Sequence, residues 1–267
     1  MALNPQFAIQ VIYPACSAAY LIQTVPNPLL PDGFTLVKAI EADMQQAAAA
    51  LAAAIAQNQV AHLKIVHAML ADSNIFGLVA WNAAEKTALV AFRGTQTLDD
   101  WIDDVDALAV PYIAVPGAGM VHMGFQLVYE HVRKNTGQIL SGGCQGAQRI
   151  LVTGHSLGGA LAVLAAFDIA KNSGLGKTPE VYTMAGPRTA APDFAGKFNA
   201  LIPTCERVVN FMDVVPQVPL PPLFEHVGHE DLVNGGFRPL DPAYAHALTT
   251  YLAGLNKLQP VGQAATP

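Results

Sequence analysis

Apolar residues in this chain occur in two textures, unbroken runs and helically spaced clusters, and the two alternate. The runs Ile75–Trp81 (IFGLVAW) and Thr87–Phe92 (TALVAF) read as strands, and the short link Asn82–Lys86 between them suggests a hairpin. Met123–Lys134 has helical spacing, with Phe125, Val128 and Val132 on one side, and the Gly/Ser/Gln-rich stretch Gly137–Gln148 reads as a loop. Ile150–Thr153 is a strand, followed after a tight glycine turn by an Ala/Leu/Val run that suits a buried helix. Further on, Glu180–Met184 and Arg207–Met212 read as strands and Ala191–Leu201 as a helix. Residues 216–242 form a Pro/Gly-rich stretch, and Tyr244–Leu258 reads as a final helix.

Before the hairpin the pattern is less regular. Residues 1–35 read as a proline-rich arm with a short helix around Ser17–Gln23, because Pro5, Pro14, Pro26, Pro28 and Pro31 break any long helix. The tract AAAALAAAIA gives residues 38–57 strong helix propensity. Strands alternating with helices indicate an α/β protein with a mainly parallel sheet. No segment contrasts enough to cut the chain, so residues 1–267 read as one domain, with residues 1–70 as an N-terminal helical and proline-rich arm.

Composition narrows the partners. The net charge of −6 argues against a nucleic-acid partner. Charged residues make up only 13 %, against about 25 % in an average soluble domain, so an apolar exposed surface is expected. No strongly apolar run is long enough for a transmembrane helix. Cys16, Cys144 and Cys205 are odd in number, far apart and allow at most one disulfide, which leans towards an intracellular setting. There is no Lys or Arg before Lys38, so no basic signal-peptide start is visible, which leaves a cytoplasmic chain, a mature form or secretion by another route.

The candidate chemistry sits at the glycine turn, Gly154-His155-Ser156-Leu157-Gly158. A G-x-S-x-G between a strand and a helix is the context of a nucleophile elbow. The turn is too tight for side chains at Gly154 and Gly158, strains Ser156 and exposes its hydroxyl at a helix N-terminus, where negative charge is favoured. A serine hydroxyl needs a base, and the base needs an orienting acid; in this architecture they follow in the order Ser, Asp or Glu, His. Asp213 follows a strand directly and suits the acid better than Asp168, Asp193, Glu206, Asp231 or Asp241. His226, His229 and His246 all follow it, and spacing alone does not choose among them. His246 lies at the start of the last helix, whereas His226 and His229 alternate as in a strand or hairpin. His155 and His122 read as packing residues. An oxyanion needs two preorganised donors. One is the backbone N–H of Leu157, and Thr95, in the turn Phe92-Arg93-Gly94-Thr95, suits the other.

Taken in order, these blocks resemble the class 3 lipases, the fungal-lipase-like branch of the α/β-hydrolases. They are Phe92-Arg93-Gly94-Thr95; Asp100-Trp101 with the acidic/apolar run after it; Val121-His122-Met123-Gly124-Phe125; Gly154 through Gly159; Ala185-Gly186-Pro187-Arg188; Val208 through Pro216; His226-Val227-Gly228; and His246 through Tyr251. The resemblance covers about residues 70–255. It implies an α/β-hydrolase fold with a short helical lid. It also implies Ser156 as nucleophile, Asp213 as acid, His246 rather than His226 as base, and Thr95 and Leu157 as the oxyanion hole. The lid falls at about residues 96–106, with Trp101, Ile102 and Val105 at helical spacing on its apolar side. The activity implied is serine carboxylester hydrolysis, foremost of triacylglycerol at a lipid–water interface, without metal or organic cofactor. A short-chain or feruloyl-type esterase or a phospholipase A1 would use the same triad, and a non-catalytic lipid-binding member of the fold is the remote alternative. Alanine at positions 185 and 190, where the family often has glycine, leads us to expect a slightly different turn there.

Overall fold

The computed structural model describes residues 3–43, 73–95, 108–239 and 241–258. A seven-stranded sheet is built from β1 (Thr35–Glu41), β2 (Ile75–Asn82), β3 (Thr87–Phe92), β6 (Arg149–His155), β7 (Glu180–Met184), β8 (Cys205–Asn210) and β9 (His229–Val233), side by side in that order. The first two pairings are antiparallel and the remaining four parallel, β1–β2–β3 forming a meander at one edge. A small antiparallel ribbon, β4 (Ala109–Pro111) with β5 (Met120–His122), stands apart.

Helices cover both faces. On one lie α3 (Met123–Gly143), α4 (Leu157–Asn172) and α5 (Pro192–Leu201), packed on Val90, Phe92, Ile150 and Val152. On the other lies the N-terminal arm, α1 (Pro5–Phe7), a π-turn (Ala8–Ile12) and α2 (Tyr13–Leu21), with α6 (Pro242–His246) and α7 (Leu248–Lys257) beside it. Ala15, Ala18 and Ala19 of α2 meet Leu78, Ala80, Leu89, Ala91 and Leu151, and their small side chains let the helix lie close to the strands. Strand residues thus alternate between two buried faces, which explains why the central strands read as unbroken apolar runs. The same reasoning accounts for α4, whose residues from Leu157 to Ile169 are all buried.

Several expectations need correction. The arm is helical from Pro5 to Leu21, not only around Ser17–Gln23, and Pro14 lies within it. The π-turn makes this possible: the Tyr13 N–H reaches back to Ala8 O, and the wider turn spares the chain an α-helical bond that proline could not donate. Lys38–Glu41 belongs to β1, because pairing with β2 outweighs local helix propensity; the Ala tract itself lies outside the described residues. Gly137 does not end α3, which continues to Gly143 because Ile139 and Leu140 keep its apolar face buried. The strand expected at Arg207–Met212 spans Cys205–Asn210. His226 lies outside any strand while His229 opens β9. The last helix is interrupted at Ala247, whose extended backbone (ψ 138°) separates α6 from α7. Among the described residues no helix is long and apolar enough to cross a membrane.

Candidate active site

Four segments converge at the carboxyl ends of the parallel strands. The first is the turn between β6 and α4. Ser156 caps α4 with φ 60° and ψ −132°, a left-handed conformation that costs a residue with a Cβ about 1–3 kcal/mol. Neighbouring packing holds it there. A Cβ on Gly154 would strike the Gly158 carbonyl, and a Cβ on Gly158 would strike the Phe92 carbonyl. Ser156 N–H donates to Met184 O at 3.0 Å and Gly159 N–H to Ser156 O at 2.8 Å. Leu157, buried, is the first residue of α4, so its amide belongs to the helix end that lacks intrahelical acceptors.

The second segment leaves β3. Arg93 is fully buried, and its guanidinium donates from Nε to Ile75 O (2.6 Å) and from Nη1 to Gly94 O (3.0 Å), with its plane near the Phe76 ring. The arginine therefore stiffens the stretch that carries Gly94 and the half-buried Thr95. A Cβ on Gly94 would come within 2.9 Å of Ser156 Cβ, so this segment lies directly against the nucleophile candidate.

The third segment leaves β8. Asp213, 2 % exposed, accepts the Val215 N–H on Oδ1 (3.0 Å), and on Oδ2 the Tyr251 hydroxyl (2.6 Å) and His246 Nδ1 (2.8 Å). A carboxylate only accepts, so Nδ1 carries a proton, and in the neutral ring Nε2 is the nitrogen left with its lone pair. The fourth segment carries His246 itself, at the end of α6. Its backbone is tied down from two sides. Asn210 Nδ2 donates to Ala245 O (2.9 Å) and His155 Nε2 donates to His246 O (2.8 Å). Burial, and the His246 ring with its centroid 4.6 Å away, hold His155 well below the ordinary histidine range, so it stays neutral. Burial and the neighbouring Asp213 push Tyr251 well above the ordinary phenol range, so it remains a donor.

The structure brings Ser156, Leu157, Gly94–Thr95, Asp213 and His246 to one end of the sheet. Among the described residues, Ser156 Oγ and His246 Nε2 are both buried with no hydrogen-bond partner. Trp101, Ile102 and Val105, expected on a lid, lie outside the described residues. Sequence reasoning missed the Tyr251 contact with Asp213, the clamp of Asn210 and His155 on the α6 backbone, and the Tyr20 hydroxyl 2.9 Å from His155 Nδ1. None of these had a signal in the sequence, because the helix is broken at Ala247 between His246 and Tyr251 and the other partners lie far apart in the chain.

Among the described residues one cluster has metal-ligating types, Glu206, His229 and Asp231. It lies at the amino ends of β8 and β9, opposite Asp213, and is crossed by its own ion pairs, His229 Nδ1 lying 3.4 Å from Glu206 and 3.6 Å from Asp231.

Residues 89–222 match the family model described as Lipase (class 3). The chain is 34 % identical over 173 residues to a lipase of Rhizomucor miehei, covering 63 % of this chain and 47 % of that protein. It is 32 % identical over 222 residues to phospholipase A1-II 3 of Oryza sativa subsp. indica, covering 70 % and 53 %. The chain thus spans about half the length of these curated relatives. Its backbone is similar (TM-score 0.64) to the solved structure of a triacylglycerol lipase whose catalytic centre is a serine protease triad, over 85 % of this chain and 79 % of that one at 23 % identity, which speaks for the α/β-hydrolase fold alone.

Proposed function

This chain belongs to the class 3 lipase family, and from that premise we propose that it hydrolyses carboxylic esters of acylglycerols through Ser156, His246 and Asp213. One observation carries the reading. The Asp213–His246 pair, 2.8 Å apart, leaves Nε2 of the neutral ring as a basic lone pair, and that Nε2 and Ser156 Oγ are both buried without a hydrogen-bond partner among the described residues. Buried groups without partners are costly unless chemistry uses them, and catalytic hydrogen bonds tighten only when substrate is bound.

The steps follow. His246 Nε2 takes the Ser156 proton as Oγ attacks the ester carbonyl, and the Leu157 and Thr95 N–H groups receive the oxyanion, each worth about 3–4 kcal/mol. The imidazolium, held by Asp213, gives its proton to the leaving alcohol. Water, deprotonated by His246, then frees the acid from Ser156. The similarity to a rice phospholipase A1 favours a second reading, an acyl ester of a glycerophospholipid, on the same residues. The test is hydrolysis of p-nitrophenyl esters from acetyl to palmitoyl, tributyrin and triolein emulsions, and phosphatidylcholine vesicles, by wild type and Ser156→Ala. We expect turnover of emulsions that falls by at least about 10⁴-fold in the variant. Turnover of vesicles alone would establish the second reading, and activity surviving in Ser156→Ala would overturn both.

A further inference from the structure

Two of the four converging segments meet at an atom outside the triad, the hydroxyl of Tyr20, and a third is reached from it through His155. Tyr20 lies near the end of α2, on the opposite face of the sheet from α4 and well before the residues 89–222 that match the family model. Its oxygen is 2.9 Å from His155 Nδ1 and lies packed against Gly94, where an added Cβ would come within 2.4 Å of it. The hydroxyl thus makes one hydrogen bond, to His155, and one close packing contact, with Gly94.

The direction of that bond is fixed by its neighbour. His155 Nε2 faces the carbonyl of His246, which can only accept, so Nε2 carries the proton. The neutral ring must then accept at Nδ1, and Tyr20 must donate. The chain of bonds runs Tyr20 O–H to His155 Nδ1 and His155 Nε2–H to His246 O. At Gly94 the Tyr20 oxygen touches the stretch that leads to Thr95, and an added Cβ at Gly94 would also come within 2.9 Å of Ser156 Cβ.

We propose that Tyr20 is a positioning residue for the esterase reaction: its hydroxyl fixes the His155 tautomer that holds the His246 backbone, and holds the Gly94–Thr95 segment against Ser156. The proposal rests on the reading of Ser156 and His246 given above. Removing the hydroxyl leaves His155 Nδ1 without this partner in the interior and opens a gap beside Gly94, and both segments must shift to recover their contacts. Shifts of that size act on the geometry of the transition state more than on substrate affinity.

The experiment compares the full chain as wild type, Ser156→Ala, Tyr20→Phe and Cys16→Ala, on p-nitrophenyl butyrate and tributyrin, with melting temperatures. Cys16 is the control, because it lies buried on the same helix and its Sγ contacts Thr153 Oγ1 at 3.3 Å, away from the triad. We expect Tyr20→Phe to lose about 10- to 100-fold in kcat with KM within twofold, and Cys16→Ala to lower the melting temperature with kcat within twofold. A Tyr20→Phe kcat within twofold of wild type, or an equal kcat loss in Cys16→Ala at equal thermal destabilisation, would overturn the proposal while leaving the esterase reading intact. Wild-type activity unaffected by Ser156→Ala would instead overturn the esterase reading, and this proposal with it. Should Tyr20→Phe fail to fold, ¹⁵N imidazole spectra of the wild type decide: a neutral Nε2–H tautomer at His155 supports the proposal and an Nδ1–H tautomer overturns it.

Discussion

The two halves of the candidate site are held by different forces. The nucleophile half, from β6 through Ser156 into α4, is fixed by close packing of backbone on backbone: Gly154 on Gly158, and Gly158 on Phe92. The acid–histidine half hangs on loops and is fixed by directed hydrogen bonds. Asp213 is gripped by Val215 N–H and the Tyr251 hydroxyl, and the His246 backbone by Asn210 and His155. Packing of this kind admits no extra atom, and its failure is a failure of the fold. Hydrogen bonds fail one at a time, and a lost one moves a proton donor or acceptor while the core stays intact.

This difference can be broken open by substitution. The largest effect should come from Asp213→Asn, which keeps the shape but puts an amide where His246 and Tyr251 both donate. We expect about 10³- to 10⁴-fold lower kcat, with a cooperative melt retained, as read by esterase assay and calorimetry. Gly158→Ala should act the other way. Its Cβ meets backbone atoms of Phe92 and Arg93, so we expect a stability loss of about 3 kcal/mol or more, seen in urea unfolding, and activity lost in step with the fold. A Gly158→Ala protein of wild-type stability would mean that the elbow is not sterically locked.

The smallest effect sharpens the contrast through pH. His226 donates from Nε2 to Pro216 O, bracing the loop that begins at Asp213, and burial, with Arg207 adding to it, lowers its pKa from 6.5 to about 3. Between those values the unfolded chain binds a proton that the native protein does not, so this histidine's contribution to stability is intact above pH 6.5 and is lost as pH falls. At pH 5 the loss is at most about 2 kcal/mol. Urea unfolding at pH 7 and pH 5 should show that increment in the wild type and its absence in His226→Asn. Equal pH sensitivity in both would show that the polar half does not carry this acid response.

What the sequence revealed follows the same division. The elbow was legible because its parts are neighbours: a strand, a G-x-S-x-G and a helix within Arg149–Asn172. Asp213 was legible as a carboxylate just past a strand. His246 could not be separated from His226 and His229 by spacing, and needed the family resemblance. Tyr251 and Tyr20 were not legible at all as site residues, since their partners stand 38 and 135 positions away and a lone tyrosine on a helix looks the same whether it packs or donates. Misread elements had local rules overruled from a distance. Pro14 is accommodated by a π-turn, Gly137 is carried by the buried Ile139 and Leu140, and Lys38–Glu41 is drawn into the sheet by β2. Ala185, at φ 57°, adopts the left-handed conformation for which the family's glycine is the easier residue, and so marks where the expected departure at that turn falls.

The bond chain through His155 also ties distant parts of the chain together. Its links span 135 residues from Tyr20 and 91 to His246, whereas the elbow packs on its own turn and on the neighbouring strand end at Phe92. The relay therefore joins the first helices of the chain to the last, so that a change which loosens the N-terminal arm reaches His246 through His155 while the packing of the elbow on β3 is untouched.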